Sequence, residues 1–173
     1  MKKILLICIA VACSLMAVAE ELLIEAESFS RRGGWVLDQQ FMDQMGSPYL
    51  MAHGMGIPVA DATAEINISQ AGTYYVYART YNWTSPWTGA AGPGRFRLAL
   101  GDKLLKTTLG HTGNSWQWQF AGKTVLKAGT TTLALKDLTG FDGRCDAIYL
   151  TTDANTQPAT WDTAETAALR TRL

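Results

Sequence analysis

Residues 62–81 read ATAEINISQAGTYYVYARTY, and this stretch decides the fold class. Apolar and polar residues alternate over residues 62–68 and again over residues 74–79, which is the period of a strand with one face on a core. Residues 70–72, with the sequence QAG, have the chemistry of a turn. The stretch therefore predicts two strands joined by a tight turn.

The same rhythm continues on both sides of this stretch, where short apolar runs are separated by Gly, Pro, Asn and Asp. Strands are predicted near residues 22–27, 49–52, 62–68, 72–81, 95–100, 104–109, 116–126, 131–136 and 145–151. About nine short antiparallel strands at this spacing predict an all-β sandwich or jelly roll. No helical period is present before the C-terminal tail.

The N-terminus has the features of a secretory signal peptide. Two lysines precede a short apolar run, and residues 17–19, with the sequence AVA, form a cleavage site before Glu20. The run is too short to span a bilayer stably. We expect residues 1–19 to be removed and the protein to be secreted or periplasmic. A lipoprotein processed at Cys13 is the less favoured alternative, because the usual leucine three residues before the cysteine is missing.

The remainder of the chain is long enough for one domain. We expect residues 20–153 to form the β-sandwich module. Residues 154–173 are first polar and then have a short helical pattern in which Asp162 or Thr163 could be the N-cap. This tail is predicted to be a linker or a short C-terminal helix.

Composition argues against several function classes. The chain has 15 basic and 15 acidic residues and no basic cluster, so the attraction on which nucleic-acid binding depends is missing. No membrane span is expected. Of three cysteines, Cys8 and Cys13 lie in the predicted signal peptide, which leaves Cys145 without a disulfide partner. His53 and His111 do not form a metal-ligand pair and no nucleophile elbow is present, so we expect no catalytic residues.

Two glutamates near the start of the module could hold a cation. In the sequence IEAE, a strand would put Glu25 and Glu27 on one face, where they repel each other unless a positive charge lies between them. Calcium suits such a pair, and Asp146 could complete the site if the first and last strands are neighbours. The alternative is that both glutamates are solvated and that Asp146 pairs with Arg144 or Arg79.

Tryptophans indicate where a ligand could bind. Two of the six tryptophans lie in a long, turn-rich loop over residues 82–94, which should be exposed. Sugar rings stack on aromatic side chains, and their hydroxyls need polar partners nearby. Trp116 shares a strand face with Trp118 and Phe120, and three large aromatic residues in a row favour a core position. Trp116 begins the strand, however, and could therefore reach the surface. The predicted ligand-binding residues are Trp83, Trp87, Asn82, Asn114, Trp116, Asp142 and Arg144.

Four short motifs carry a resemblance to a known group of modules. The sequences IEAE at 24–27, AGTY at 71–74, AG at 128–129 and DAI at 146–148 resemble, in order and spacing, the calcium-binding jelly-roll carbohydrate-binding modules of families 6 and 35. The likeness spans residues 22–153 and implies a galactose-binding-like sandwich without catalytic activity. It also implies a structural calcium ion at Glu25, Glu27 and Asp146, which would clamp the chain ends together.

A narrower resemblance concerns an accessory module. The sequences GGW at 33–35, SPYL at 47–50, WQWQ at 116–119 and DLTGFDGRCDAI at 137–148 are similar to a sandwich module attached to FAD-dependent oxidoreductases of secreted polysaccharide-degrading systems. The two resemblances imply an exported module that binds a poly- or oligosaccharide. The alternative is a structural or docking module of such an oxidoreductase, or of a polysaccharide-degrading enzyme, without sugar binding of its own.

Overall fold

The computed structural model describes residues 18–89 and 91–173, so the predicted signal peptide lies almost wholly outside it. Within the described residues the chain forms ten β-strands and three short α-helices. The strands are β1 (Glu21–Glu25), β2 (Val36–Asp38), β3 (Tyr49–His53), β4 (Ala62–Ile68), β5 (Gly72–Tyr81), β6 (Phe96–Leu100), β7 (Lys103–Leu104), β8 (Gln117–Leu126), β9 (Gly129–Asp137) and β10 (Phe141–Thr151). The helices are α1 (Met42–Met45), α2 (Ser85–Thr88) and α3 (Thr163–Arg172).

The strands form two antiparallel sheets. One sheet has the order β2-β3-β10-β5-β8, with β1 also paired to β10, and the other has the order β4-β9-β6-β7. Their inner faces share one apolar core, to which β4 contributes Ile66 and Ile68 and β10 contributes Ile148 and Leu150. The predicted all-β sandwich is confirmed, with ten strands in place of about nine.

Alternation explains which side chains enter the core. In β4, Ala62, Ala64, Ile66 and Ile68 are buried, while the residues between them are partly or fully exposed. Because successive side chains of a strand point to opposite faces, this pattern puts one whole face of β4 on the core. The two strands of the opening stretch do not pair with each other, since β4 and β5 lie in different sheets.

The first strand ends earlier than its sequence predicts. Strand β1 stops at Glu25, and Ala26–Ser28 form a 3-10 turn in which the Phe29 amide donates to the Ala26 carbonyl at 3.1 Å. The Ser28 hydroxyl also donates to the Glu25 carbonyl at 2.6 Å. Glu27 therefore leaves the strand and does not share a strand face with Glu25.

The tail covers part of the outer face of the six-stranded sheet. Trp161 packs against Trp118 and Tyr149, with ring centroids 6.3 and 5.3 Å away, and Leu169 belongs to the same buried cluster. Helix α3 begins with a capping box between Asp162 and Glu165. Within residues 154–173, helix α3 covers Thr163–Arg172. No helix in the described part of the chain is long and apolar enough to cross a membrane.

Candidate functional site

Trp83 and Trp87 lie together at one end of the sandwich. Helix α2 places the Trp87 indole in solvent, 76% exposed, with its ring centroid 6.2 Å from that of Trp83 in an edge-to-face arrangement. The Trp83 Nε1 donates to the Phe141 carbonyl at 3.0 Å, which ties the loop to the start of β10. One tryptophan is thus fixed to the body of the protein and supports the other.

Polar side chains of β10 and β3 lie near Trp83. The guanidinium of Arg144 lies 5.3 Å from the Trp83 ring centroid and donates to the Asp142 carbonyl at 3.2 Å. The Asp142 carboxylate is 2.7 Å from Nδ1 of His53. We call Trp83, Trp87, Phe141, Asp142, Arg144 and His53 the tryptophan surface.

A glycine sets the position of Asp142. Gly140 has a φ of +66°, and a Cβ at this position would lie 2.1 Å from the Ile57 carbonyl oxygen. Only glycine can therefore pass this close to the neighbouring loop without strain. Asp137 fixes the same two loops, because its carboxylate accepts the amides of Val59 and Gly140 at 2.9 Å each.

The two predicted asparagines lie where residues 82–94, the tryptophan loop, meet residues 112–114. A cavity of about 510 Å³ separates this loop from residues 112–114, and Asn114 and Thr112 line it. The Asn82 side chain is 2% exposed; its amide donates to the Gly113 carbonyl at 3.3 Å and its oxygen accepts from Thr84. Asn82 therefore holds the two loops together, and Asn114 faces the cavity.

Trp116 lies in an aromatic cluster on the outer face of the six-stranded sheet. Its ring stacks on Tyr81 at 5.5 Å and contacts Tyr49 and Phe41 at 4.8 and 6.0 Å. It is half-buried and does not enter the core between the sheets. The structure thus divides the predicted ligand residues among the tryptophan surface, the cavity and this cluster.

Several buried polar atoms at this end have no hydrogen-bond partner, and two of them belong to predicted ligand residues. Nε1 of Trp116 and Nε of Arg144 are both buried without a hydrogen-bond partner, and the Arg144 side chain is 6% exposed. Burying a donor without an acceptor costs about 1–3 kcal/mol. These two donors are therefore unpaired within the protein and are also covered from solvent.

The predicted acidic residues are brought together by the pairing of the first and last strands. Strand β1 pairs with β10 in antiparallel register, with Glu25 opposite Ala147, so that Glu25 lies beside Asp146. Asp146 is fully buried and accepts from Arg79 Nη1 at 3.2 Å. Of the two arginine partners considered from the sequence, the structure provides Arg79. We call Glu25, Glu27 and Asp146 the carboxylate cluster.

An arginine from the tail lies within the carboxylate cluster. Nε of Arg170 is 2.5 Å from Oε1 of Glu25, and Nη2 is 2.7 Å from Oδ2 of Asp146. The remaining terminal nitrogen, Nη1, donates to the Met45 carbonyl at 2.6 Å. The guanidinium thus joins helix α3 to β1, β10 and α1.

Glu27, unlike Glu25 and Asp146, has no ion pair with an arginine among the described residues. Its Oε2 is buried without a hydrogen bond. Burial, with smaller contributions from the charges of Glu25 and Asp146, raises the pKa of Glu27 to about 7. Burial also raises the pKa of Asp146 to about 6, although the Arg170 and Arg79 charges oppose the shift. No group of three or more His, Cys, Asp or Glu side chains in the described residues is arranged to hold a metal ion.

Sequence reasoning missed two contributors to these sites. It did not connect His53 with Asp142, which are distant in sequence and meet only because β3 and β10 are neighbours. It also treated the tail as separate from the module and so missed Arg170. The helical pattern of the tail was the available signal. A helix that buries Leu169 against the sheet also brings the neighbouring Arg170 close to it.

The fold is shared with known carbohydrate-binding modules. No protein-family model matches the chain, and no curated protein matches it significantly. Among solved structures, it is similar to a mannanase of Podospora anserina that joins a family GH26 domain to a family 35 carbohydrate-binding module, with 20% identity, a TM-score of 0.60, and coverage of 80% of this chain and 29% of that one. A family 35 carbohydrate-binding module from an environmental isolate has 25% identity and a TM-score of 0.54, with coverage of 81% and 98%.

The C-terminal family 6 carbohydrate-binding module of a marine laminarinase from Zobellia galactanivorans is also similar. It has 19% identity and a TM-score of 0.55, with coverage of 76% of this chain and 99% of the module. The predicted resemblance to modules of families 6 and 35 is therefore confirmed at the level of the fold. The chain corresponds to a whole module of this type and to less than a third of the mannanase.

Proposed function

We propose that this protein is a non-catalytic module that binds a poly- or oligosaccharide through the tryptophan surface. The observation that carries the proposal is the exposed Trp87 indole, which Trp83 supports at 6.2 Å. An aromatic face in solvent beside polar groups is the arrangement that a sugar ring requires, because its C–H face stacks while its hydroxyls form hydrogen bonds. The shared fold supports the proposal, since the similar modules are named for carbohydrate binding.

Each residue of the site has a distinct role in this proposal. Trp83 and Trp87 stack on the sugar, while Arg144 donates hydrogen bonds and the His53–Asp142 pair can donate and accept them. Asn114 provides polar groups in the cavity beyond the loop. Asn82 and Trp116 act indirectly, by holding the loops and the sheet end in place.

Affinity electrophoresis in gels that contain a plant or host polysaccharide tests the proposal. We expect at least one polysaccharide to retard the protein, and the double variant Trp83→Ala, Trp87→Ala to lose more than about tenfold in affinity, since each stacked aromatic contributes about 1 kcal/mol. The matched control is Phe120→Ala, which removes an exposed aromatic side chain from the outer face of the six-stranded sheet. Retardation that survives the double variant would contradict the tryptophan surface.

Export and calcium belong to the same proposal. The signal peptide rests on the sequence alone, because residues 1–17 lie outside the described part of the chain.

The carboxylate cluster offers oxygens of the kind that calcium binds, and Oε2 of Glu27, which has no hydrogen-bond partner, is an acceptor that a cation would satisfy. Arg170 already binds Glu25 and Asp146, however, so calcium could bind the carboxylate cluster only if Arg170 moved away.

A second function, docking on a catalytic domain, is favoured by an apolar surface beside the tryptophans. Met55 and Ile57 are 85% and 74% exposed, and the Phe141 ring next to Gly56 is also exposed. A contiguous exposed apolar patch commonly marks an interface with another protein. Under this alternative no polysaccharide retards the protein. Attachment to an FAD-dependent oxidoreductase or to a polysaccharide-degrading enzyme stays a prediction.

A further inference from the structure

The carboxylate cluster needs more than one positive charge. Three carboxylates meet there, and Asp146 among them is fully buried. If Arg170 were removed, the buried Arg79 would be the one cation in hydrogen-bond contact with Asp146 in the described part of the chain. Buried carboxylates without enough positive charge are costly, because the protein interior screens their repulsion poorly. In the folded protein, Arg170 provides the second positive charge of the cluster.

Arg170 uses the oxygens that a metal ion would need. Its guanidinium contacts both oxygens of Glu25, at 2.5 and 3.2 Å, and Oδ2 of Asp146 at 2.7 Å. Calcium binds six to eight oxygens at about 2.3–2.6 Å and would have to take the same carboxylates. Two cations cannot share these oxygens at such distances, since they repel each other. The cluster can thus hold the guanidinium or a metal ion, but not both.

The docking of helix α3 depends on the same arginine. Of the helix residues, Thr166 and Leu169 are buried, which is little apolar surface for ten residues. Its other contacts with the sandwich include the hydrogen bond from Trp118 Nε1 to Thr166 at 3.0 Å and an ion pair between the exposed Arg172 and Glu21. An exposed ion pair contributes about 0–1 kcal/mol. Arg170 is therefore the main polar anchor of the helix.

We propose that the guanidinium of Arg170 is the resident cation of the carboxylate cluster, and that helix docking and divalent-metal binding at the cluster exclude each other. A metal ion enters only in molecules whose tail has left the sheet, and its binding releases helix α3. The tail then acts as a built-in competitor of the metal ion. This inference rests on the carboxylate cluster and not on the tryptophan surface, so it stands or fails independently of sugar binding.

Competition makes a quantitative prediction about affinity. When only a small fraction of molecules has an open cluster, the apparent dissociation constant is the intrinsic one divided by that fraction. Replacing Arg170 by glutamine removes the competitor and keeps a side chain of similar length. We expect Arg170→Gln to bind calcium at least about tenfold more tightly than the unsubstituted protein, because the open fraction rises toward one.

Calorimetric titration of both full-length proteins with calcium chloride in chelator-treated buffer measures this difference. The matched control is Arg172→Gln, which removes one arginine from the same helix without touching the cluster. Its calcium affinity should change by less than a few-fold, as expected for an exposed ion pair. Equal affinities of Arg170→Gln and the unsubstituted protein, or no calcium binding by either, would refute the proposal.

Limited proteolysis gives a second measurement that does not depend on the folding of a variant. Chymotrypsin cleaves after Trp161, which is half-buried against the sheet while the tail is docked. Saturating calcium should speed this cleavage in the unsubstituted protein, whereas sodium chloride at equal ionic strength should not. If calcium binds and the tail stays equally protected, metal and helix coexist and the proposal is wrong.

Discussion

At the scale of single residues, Glu20 connects the N-terminal end of the module to the turn between the two sheets. Its carboxylate accepts the amides of Ser69 and Gln70 at 2.8 Å each, and also the Tyr74 hydroxyl. Burial would raise the pKa of Glu20, but the Tyr74 hydroxyl and the two amides outweigh it, so the pKa lies below its ordinary value of 4.5. Folding therefore favours the ionised form of this carboxyl.

This shift predicts how acid affects stability. Because the pKa of Glu20 is lower in the folded protein than in the unfolded chain, its ionised carboxylate adds to the free energy of unfolding. This contribution is fully present above pH 4.5, the unfolded pKa, and is lost as the pH falls through the lower folded pKa. Urea denaturation at a series of pH values should show that Glu20→Gln loses stability relative to the unsubstituted protein at pH 6, and that the gap narrows toward pH 3. Glu65→Gln, on the exposed face of β4, is the charge-matched control. A gap independent of pH would contradict the role of the carboxylate.

At the scale of elements, the loop before β10 depends on a glycine at which any side chain would clash with the backbone. Gly140 and Gly101 both have positive φ, +66° and +58°, but only Gly140 has a backbone oxygen 2.1 Å from the position of a Cβ. Gly101→Ala should cost about 1 kcal/mol of unfolding free energy from backbone strain alone. Gly140→Ala should cost at least about 3 kcal/mol, since the loop must also move. Equal losses in urea denaturation would show that the close approach is unimportant.

Local elements could be predicted from the sequence where the alternation was strong. Strands β4 and β5 were predicted with the bounds that the structure has, because their apolar period is unbroken. Strand β2 was missed, since it is short and two of its three residues are exposed. The bend at Glu27 was missed because local hydrogen bonds of Ser28 and Phe29 override the alternation there.

The candidate sites could be predicted only in part, because they depend on strand order. The meeting of Glu25 with Asp146 followed from assuming that the first and last strands are neighbours, which the pairing of β1 with β10 confirms. The position of Asn114 at the cavity beside the loop that carries Trp87 did not follow from any local pattern. It depends on two loops that are distant in sequence, and the ligand residues themselves stay predictions.

At the scale of the whole molecule, Cys145 can report global unfolding. The thiol lies in the core on β10, and burial, together with the nearby charge of Asp146, raises its pKa well above the usual range. Only the thiolate reacts with disulfide reagents, so labelling requires the strand to open. In a Cys8→Ser, Cys13→Ser background, labelling at pH 8 should be at least about a thousandfold slower than for a free cysteine, given a typical domain stability.

The dependence of this labelling rate on urea separates two cases. If Cys145 becomes accessible only by complete unfolding, the urea dependence of its labelling should match that of the equilibrium unfolding transition. A much weaker dependence would mean that β10 opens locally, in conflict with its place between β3 and β5.

The last strand to be synthesised lies at the middle of the larger sheet. Strand β10 pairs with β1, β3 and β5, and none of these three pairs with another of them. As the polypeptide leaves the ribosome, the earlier strands have no common neighbour until Phe141–Thr151 has emerged. Such long-range closure is slow, and it cannot begin on a partial chain. The six-stranded sheet therefore cannot close before Phe141–Thr151 has been synthesised, because β1, β3 and β5 are joined only through this strand.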